Sequence, residues 1–152
     1  MNATIRIQAE DFDVAAETAA LTQGRADIGA VVAFTGLCRD EGGRLAGLEL
    51  EYYPGMAEAE VARVVEGALR RWPLSGATVI HRYGLIAPGQ NIVLVLTASD
   101  HRAAAFEAAM FLMDFLKTQA PFWKREHLKD GSTGPWVEAK TADDVAAARW
   151  KS

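Results

Sequence analysis

The 152-residue chain predicts an α+β fold on a mixed, largely antiparallel sheet. Stretches rich in β-branched or alternating apolar residues, at 28–35, 48–53, 77–83 and 91–98, read as strands. Two longer stretches, 56–72 and one beginning at Ser99, carry apolar residues at helical spacing. These elements do not alternate strictly as strand, helix, strand, which a doubly wound parallel sheet would require. No repeat, low-complexity segment or linker interrupts the sequence, so residues 1–152 are expected to form a single domain.

Taken in order, residues 3–9 alternate enough for a short strand. Asp11 or Asp13 can cap a helix running to about Thr22, because either carboxylate can accept a free backbone N–H. Residues 24–29 form a turn. IGAVVAFT, 28–35, is expected to be a well-buried strand. Residues 37–47, with Arg39, Asp40, Glu41 and two adjacent glycines, read as a mobile polar loop. In the strand 48–53, Leu48, Leu50 and Tyr52 alternate with Glu49, Glu51 and Tyr53, giving one wet face. Pro54-Gly55 turns into a helix at 56–72, which Pro73 ends. Strands at 77–83 and 91–98 flank a Pro88-Gly89 turn.

The helix that follows Ser99 is capped by Ser99 or Asp100 and stopped by Pro121. His101 and Arg102 lie at its N-terminus, where an anion is favoured. Phe106, Met110, Met113 and Lys117 share one face. An extended segment at 122–128, a turn at 130–134, a short strand at 136–139 and a last helical turn or two at 143–150 complete the chain.

The totals exclude several function classes. Half the residues are apolar and about a quarter charged, the profile of a soluble globular protein. A net charge of −4 argues against a general nucleic-acid binder. The charge is uneven: residues 1–116 carry nine basic and fifteen acidic side chains, residues 117–152 seven and five, and all five lysines fall in the second part. One cysteine, Cys38, excludes an internal disulfide. No apolar run reaches the ~20 residues of a membrane span, and no secretory pattern opens the sequence, so the cytoplasm is expected. There is no Gly-rich phosphate loop and no Cys or His spacing for structural zinc, so no metal and no cofactor are expected. His81 reads as a strand residue and His127 as a surface one.

Lys117 is the foremost catalytic candidate. On an apolar stripe its amine would be partly desolvated, which disfavours the charged form and suits an acid, a base or a nucleophile. A lysine snorkelling at a helix C-terminus fits the same pattern equally well. Lys124 and Arg125, directly after Phe122 and Trp123, form a cation-aromatic patch, or else a solvated strand face. Arg39, His101 and Arg102 suit phosphate or carboxylate. Cys38 beside Arg39 invites a thiolate, but a small apolar residue at a strand end is favoured. Arg102 and Lys117 are fifteen residues apart, roughly 22 Å along a straight helix. If both serve one small ligand, a symmetry-related chain supplies one of them.

The segments GAVVAFTG followed by Arg39, LELEYYPGMAE, RWPL at 71–74, VIHRYG, APGQ, HRAAAFEA and FLKTQAPFWKRE together resemble the catalytic, large subunit of molybdopterin synthase, the MoaE family. The resemblance spans nearly the whole chain in order. Cys38 stands where the family more often has valine, Asp100 where a neutral residue is usual, and Leu85 where glutamate is common.

The resemblance implies an α/β hammerhead fold and a homodimer. Each end would bind a small ubiquitin-like sulfur carrier, making a heterotetramer. The carrier's C-terminal Gly-Gly thiocarboxylate would enter the pocket of this chain. The implied substrate is cyclic pyranopterin monophosphate, which receives two sulfurs in succession to give the dithiolene of molybdopterin. The family's catalytic lysines fall on Lys117 and Lys124. Its substrate contacts fall on Leu37, Cys38, Arg39, His101, Arg102, Lys117, Lys124, Arg125 and Glu126, with Phe34 and Met113 lining the pocket. Two other classes stay open at this stage. One is a Schiff-base lyase using Lys117 on a phosphorylated carbonyl compound; the other is a non-catalytic scaffold for a ubiquitin-like protein.

Overall fold

The computed structural model describes residues 3–40, 42–118, 122–137, 148 and 150. Two sheets carry the architecture. The first contains β1 (Ala3–Gln8), β2 (Ala30–Leu37), β4 (Leu74–Arg82) and β6 (Asn91–Ser99) in the order β1-β4-β6-β2. Only β1–β4 is parallel; β4–β6 and β2–β6 are antiparallel. The second sheet is antiparallel and contains β3 (Leu45–Tyr52), β5 (Gly84–Ile86) and β7 (Phe122–Leu128) in the order β5-β3-β7. The class is α+β with a mixed, mostly antiparallel strand arrangement, as the unalternating order of elements predicts.

Successive side chains of a strand point to opposite faces, and the central strands β4 and β6 use both. Ala77, Val79, Val93 and Val95 face α2 (Met56–Arg71) and α3 (Arg102–Thr118). Ile80, Leu94, Leu96 and Ala98 face the other way, where Phe12 and Leu21, the latter from α1 (Val14–Thr22), cover them. This two-sided burial accounts for the near-continuous apolar runs in β4 and β6.

The helices follow from local chemistry. Asp13 caps α1, its Oδ1 accepting from the Ala16 N–H at 3.1 Å. In α2, Glu58 reaches back to the Gly55 N–H at 2.8 Å, a half of a capping box that needs no Ncap side chain. Its buried residues, Val61, Val64, Val65 and Ala68, recur at helical spacing. α3 lies on the first sheet through Ala105, Ala108, Ala109, Leu112 and Leu116. The alanines allow close approach of the helix to β6 and β2.

Three expectations need correction. β2 is not well buried: it is an outer strand, and Phe34 and Leu37 are exposed. The stripe through Phe106, Met110, Met113 and Lys117 is not the packed face of α3. The helix packs through Ala105, Ala108, Ala109, Leu112 and Leu116 instead, so Phe106 is 61% and Met110 51% exposed while Met113 is buried. Ser99 does not cap α3, because its hydroxyl donates to the Pro73 carbonyl at 2.8 Å. One short strand, β5, had no sequence signal. It follows β4 at once, and Gly84 at φ +94° makes the bend between the sheets, a conformation that costs glycine little. The expected stop at Pro121 and nearly all of the helical turns expected at 143–150 lie outside the described residues. So do residues 138 and 139 of the expected last strand. Among the described residues, no helix is long and apolar enough to cross a membrane.

Candidate active site

The junction of the two sheets holds a cavity of about 380 Å³. Its walls come from four places. The end of β2 and the following residues give Leu37, Cys38 and Arg39; β3 gives Leu45 and Leu48; α3 gives Lys117; β7 gives Lys124, Arg125 and Glu126. Ile92, Gly134, Pro135 and Val137 complete the lining.

Local backbone geometry puts these residues there. β2 carries an irregularity at Gly36/Leu37 as it leaves its partner strand. A Cβ on Gly36 would sit 2.7 Å from Val93 Cγ1, so the strand passes β6 too closely for a side chain. Beyond it, Cys38 is pinned on both sides: its N–H donates to the Gln90 carbonyl at 2.8 Å, and its carbonyl accepts from Gly89 at 2.7 Å. The Asp40 carboxylate accepts from the Leu45 N–H at 3.0 Å and closes the polar loop that the sequence reads as mobile. On the other side, residues 132–137 fold back along β7. Lys124 and Val137 exchange backbone hydrogen bonds of 3.2 and 2.7 Å, and Gly134 donates to the Glu126 carbonyl at 2.9 Å.

Alternation along β7 divides its side chains. Phe122, Lys124 and Glu126 share one face, opposite Tyr52, Leu50 and Leu48 of β3. Trp123, Arg125 and His127 take the other. There Glu49 accepts from His127 Nε2 at 2.7 Å and Arg125 Nε at 3.3 Å. A carboxylate only accepts, so Nε2 carries the hydrogen. The His127 contact and, less strongly, Arg125 hold the Glu49 carboxyl below its ordinary range. The Arg125 guanidinium also lies 4.5 Å from the centre of the Trp136 ring. His127 is therefore half-buried and paired, not a plain surface residue.

The electrostatics of the cavity are cationic. Lys117, Lys124, Arg39 and Arg125 line it against a single carboxylate, Glu126. Lys124 is half-buried, whereas Lys117 is exposed in the single chain, so the apolar stripe does not desolvate it here. The Cys38 thiol is buried, and that burial pushes its pKa up, with Asp40 and Glu126 adding to the effect. It is a packed apolar group rather than a thiolate. Beside the site, His81 is buried and held neutral: burial, helped by the Lys117 charge, lowers its pKa to about 4.

Of the residues named from sequence, Leu37, Cys38, Arg39, Lys117, Lys124, Arg125 and Glu126 share this cavity. His101 and Arg102 do not line it; they are exposed at the opposite end of α3. Phe34 and Met113 do not line it either. Phe34 is exposed on β2, and Met113 is buried among the residues that pack α2 and α3 on the first sheet. Sequence reasoning missed Leu45, Leu48, Ile92 and the wall at 134–137. Leu48 was readable from the alternation of β3. The wall was not, because it depends on a turn folding back over a strand. No group of three or more His, Cys, Asp or Glu among the described residues could hold a metal ion.

The MoaE protein family matches residues 7–119 of this chain. The chain belongs to the MoaE family. The molybdopterin synthase catalytic subunit of Mesorhizobium japonicum is 70% identical over 149 residues, which cover 98% of this chain and 94% of that one. The MoaE protein of Burkholderia ambifaria superposes with a TM-score of 0.85 at 46% identity, covering 99% of each chain. A complex of subunits 1 and 2 of the molybdopterin-converting factor from Helicobacter pylori shares the fold, with a TM-score of 0.67 at 22% identity over 91% of this chain and 90% of that one. The relatives by sequence are catalytic subunits of an enzyme, and the MoaE fold extends over both sheets and all three helices described above.

Proposed function

We propose that this MoaE chain is the catalytic subunit of a cytoplasmic molybdopterin synthase. It moves two sulfurs from the C-terminal thiocarboxylate of a small ubiquitin-like carrier to cyclic pyranopterin monophosphate. The observation that carries the reading is the convergence of Lys117 and Lys124 with Arg39 on one cavity.

The chemistry follows from the charges. The substrate phosphate needs cations, and arginines grip it through paired N–H donors. A thiocarboxylate is anionic and nucleophilic at neutral pH, so the protein need not supply a thiol; a buried, protonated Cys38 is consistent with that. In each transfer the thiocarboxylate sulfur bonds to an oxygen-bearing pterin side-chain carbon, and the C–O bond at that carbon breaks, its oxygen leaving with a proton supplied by Lys117. Water then attacks the acyl carbon, the acyl C–S bond breaks, and the carrier leaves as a carboxylate. Lys117 acts as acid and base at the reacting carbons, and Lys124 stabilises the oxyanion on the acyl carbon or holds the covalent intermediate.

His101 and Arg102 enter through a second copy of the chain. They stand roughly 22 Å from Lys117 along α3, too far for one small ligand. Phe106 and Met110 on α3, with Phe34 and Leu37 on the outer strand β2, leave apolar side chains exposed that a homodimer would cover. The carriers then bind at the two ends, giving a heterotetramer.

The test is to mix the purified chain with a thiocarboxylated carrier and cyclic pyranopterin monophosphate and to look for dithiolene. Product that depends on this chain is expected. A complex that forms and never yields product would leave only a scaffold.

A further inference from the structure

His81 is a buried titratable group that the reaction above does not use. It lies on β4 two residues after Val79, so it projects from the face of the first sheet that α3 covers. Its ring stacks on Phe122, with centroids 3.8 Å apart and planes 13° apart. Phe122 is the first residue of β7 in the second sheet. This stack therefore joins the two sheets beside the cavity, between the end of α3 and the start of β7.

The stack is fixed at both partners. His81 Nδ1 lies 2.8 Å from the Arg82 carbonyl, which can only accept, so Nδ1 carries the hydrogen and the ring plane is set. Phe122 pairs with Tyr52 across β3–β7, and their rings are 6.1 Å apart. Tyr52 in turn packs on Tyr83 at 5.0 Å. Phe122 and Lys124 point to the same face of β7, so the position of one ring constrains the amine two residues on.

We infer that His81 is a positioning residue: by stacking on Phe122 it sets the start of β7 and thereby holds the Lys124 amine in the cavity that Lys117 enters. It does not touch substrate. Its burial keeps the ring uncharged.

The inference rests on the sulfur-transfer reading, and the assay separates the two. The wild-type chain is compared with His81→Ala, His81→Phe, Phe122→Ala and the double alanine variant, each in complex with the carrier. Rates are normalised to the folded complex. A wild type without dithiolene product refutes the reading; an active wild type leaves the variants to decide. His81→Ala is expected to lower kcat at least tenfold with KM for the pterin within twofold. His81→Phe, which keeps a stacking ring, should restore kcat to within threefold of wild type. The double variant should be no worse than the weaker single one, because both break one contact. A His81→Ala kcat within threefold of wild type, a His81→Phe as impaired as His81→Ala, or losses that multiply in the double variant would each overturn the inference. If His81→Ala does not fold, Phe122→Leu reads the same contact: a tenfold lower kcat at unchanged KM supports it, and a kcat within threefold overturns it.

Discussion

Glu49 and Arg125 face each other across the β3–β7 pair, with Arg125 Nε 3.3 Å from Glu49 Oε1. The same carboxylate also receives His127 at 2.7 Å, and Arg125 is steadied again by Trp136. Glu49→Gln removes the charge that orients the guanidinium at the cavity rim. KM for the pterin is expected to rise about threefold to tenfold, with kcat little changed. Glu49 has a lowered pKa in the folded chain, so its contribution to stability is present above the ordinary carboxylate range and is lost as pH falls through the lowered value. Steady-state kinetics and acid titration of the two proteins check both statements.

The separation of Arg102 from Lys117 gives a second prediction. Lys117→Ala and Arg102→Ala should each be inactive alone. Mixed at equal amounts and allowed to exchange subunits, they should recover about a quarter of wild-type activity, because half the dimers are mixed and each mixed dimer holds one intact site. If the site lay within one chain, mixing would recover nothing.

His81 makes stability depend on pH from a higher pH than the carboxylates do. Its folded pKa is about 4 against an ordinary value of 6.5. The unfolded chain therefore binds the proton first, and stability falls as pH drops from 6.5 toward 4, by roughly 3 kcal/mol over the full span. Thermal melts at pH 7 and pH 5 should differ more for the wild type than for His81→Phe, which has no such proton to take up.

Cys38 is predicted to be chemically quiet. Its raised pKa and burial leave little thiolate at neutral pH, so alkylation by iodoacetamide should be much slower than for a free thiol. Cys38→Val should keep dithiolene formation within about threefold, since the residue acts as a small apolar group. Mass spectrometry after timed alkylation and a turnover assay test this.

Much of the fold was legible because its signals are local. Asp13 as a cap, Pro73 after α2, and the alternation of Leu48, Leu50 and Tyr52 each act within a few residues. The strand β2 misled because β-branched density marks a strand without saying where in a sheet it lies; an outer strand awaiting a partner looks the same as a central one. α3 misled because apolar residues run nearly all round it: the buried side carries Ala105, Ala108, Phe111, Leu112 and Leu116, and Phe106 and Met110 lie outside it. At the site, the residues around Lys117 and Lys124 were readable from a long motif. The wall at 134–137, the Glu49–Arg125–His127 contacts and the His81–Phe122 stack were not. Each depends on strand register or on contact between sheets, which no local pattern encodes.

The central claim is that the Lys117 and Lys124 amines act on one bound pterin. The most direct measurement is single-turnover dithiolene formation with preformed carrier complexes of wild type, Lys117→Ala and Lys124→Ala. Both variants should bind the carrier as the wild type does and form product at least about a hundredfold more slowly. Near-normal turnover by Lys117→Ala in an intact complex would contradict the account.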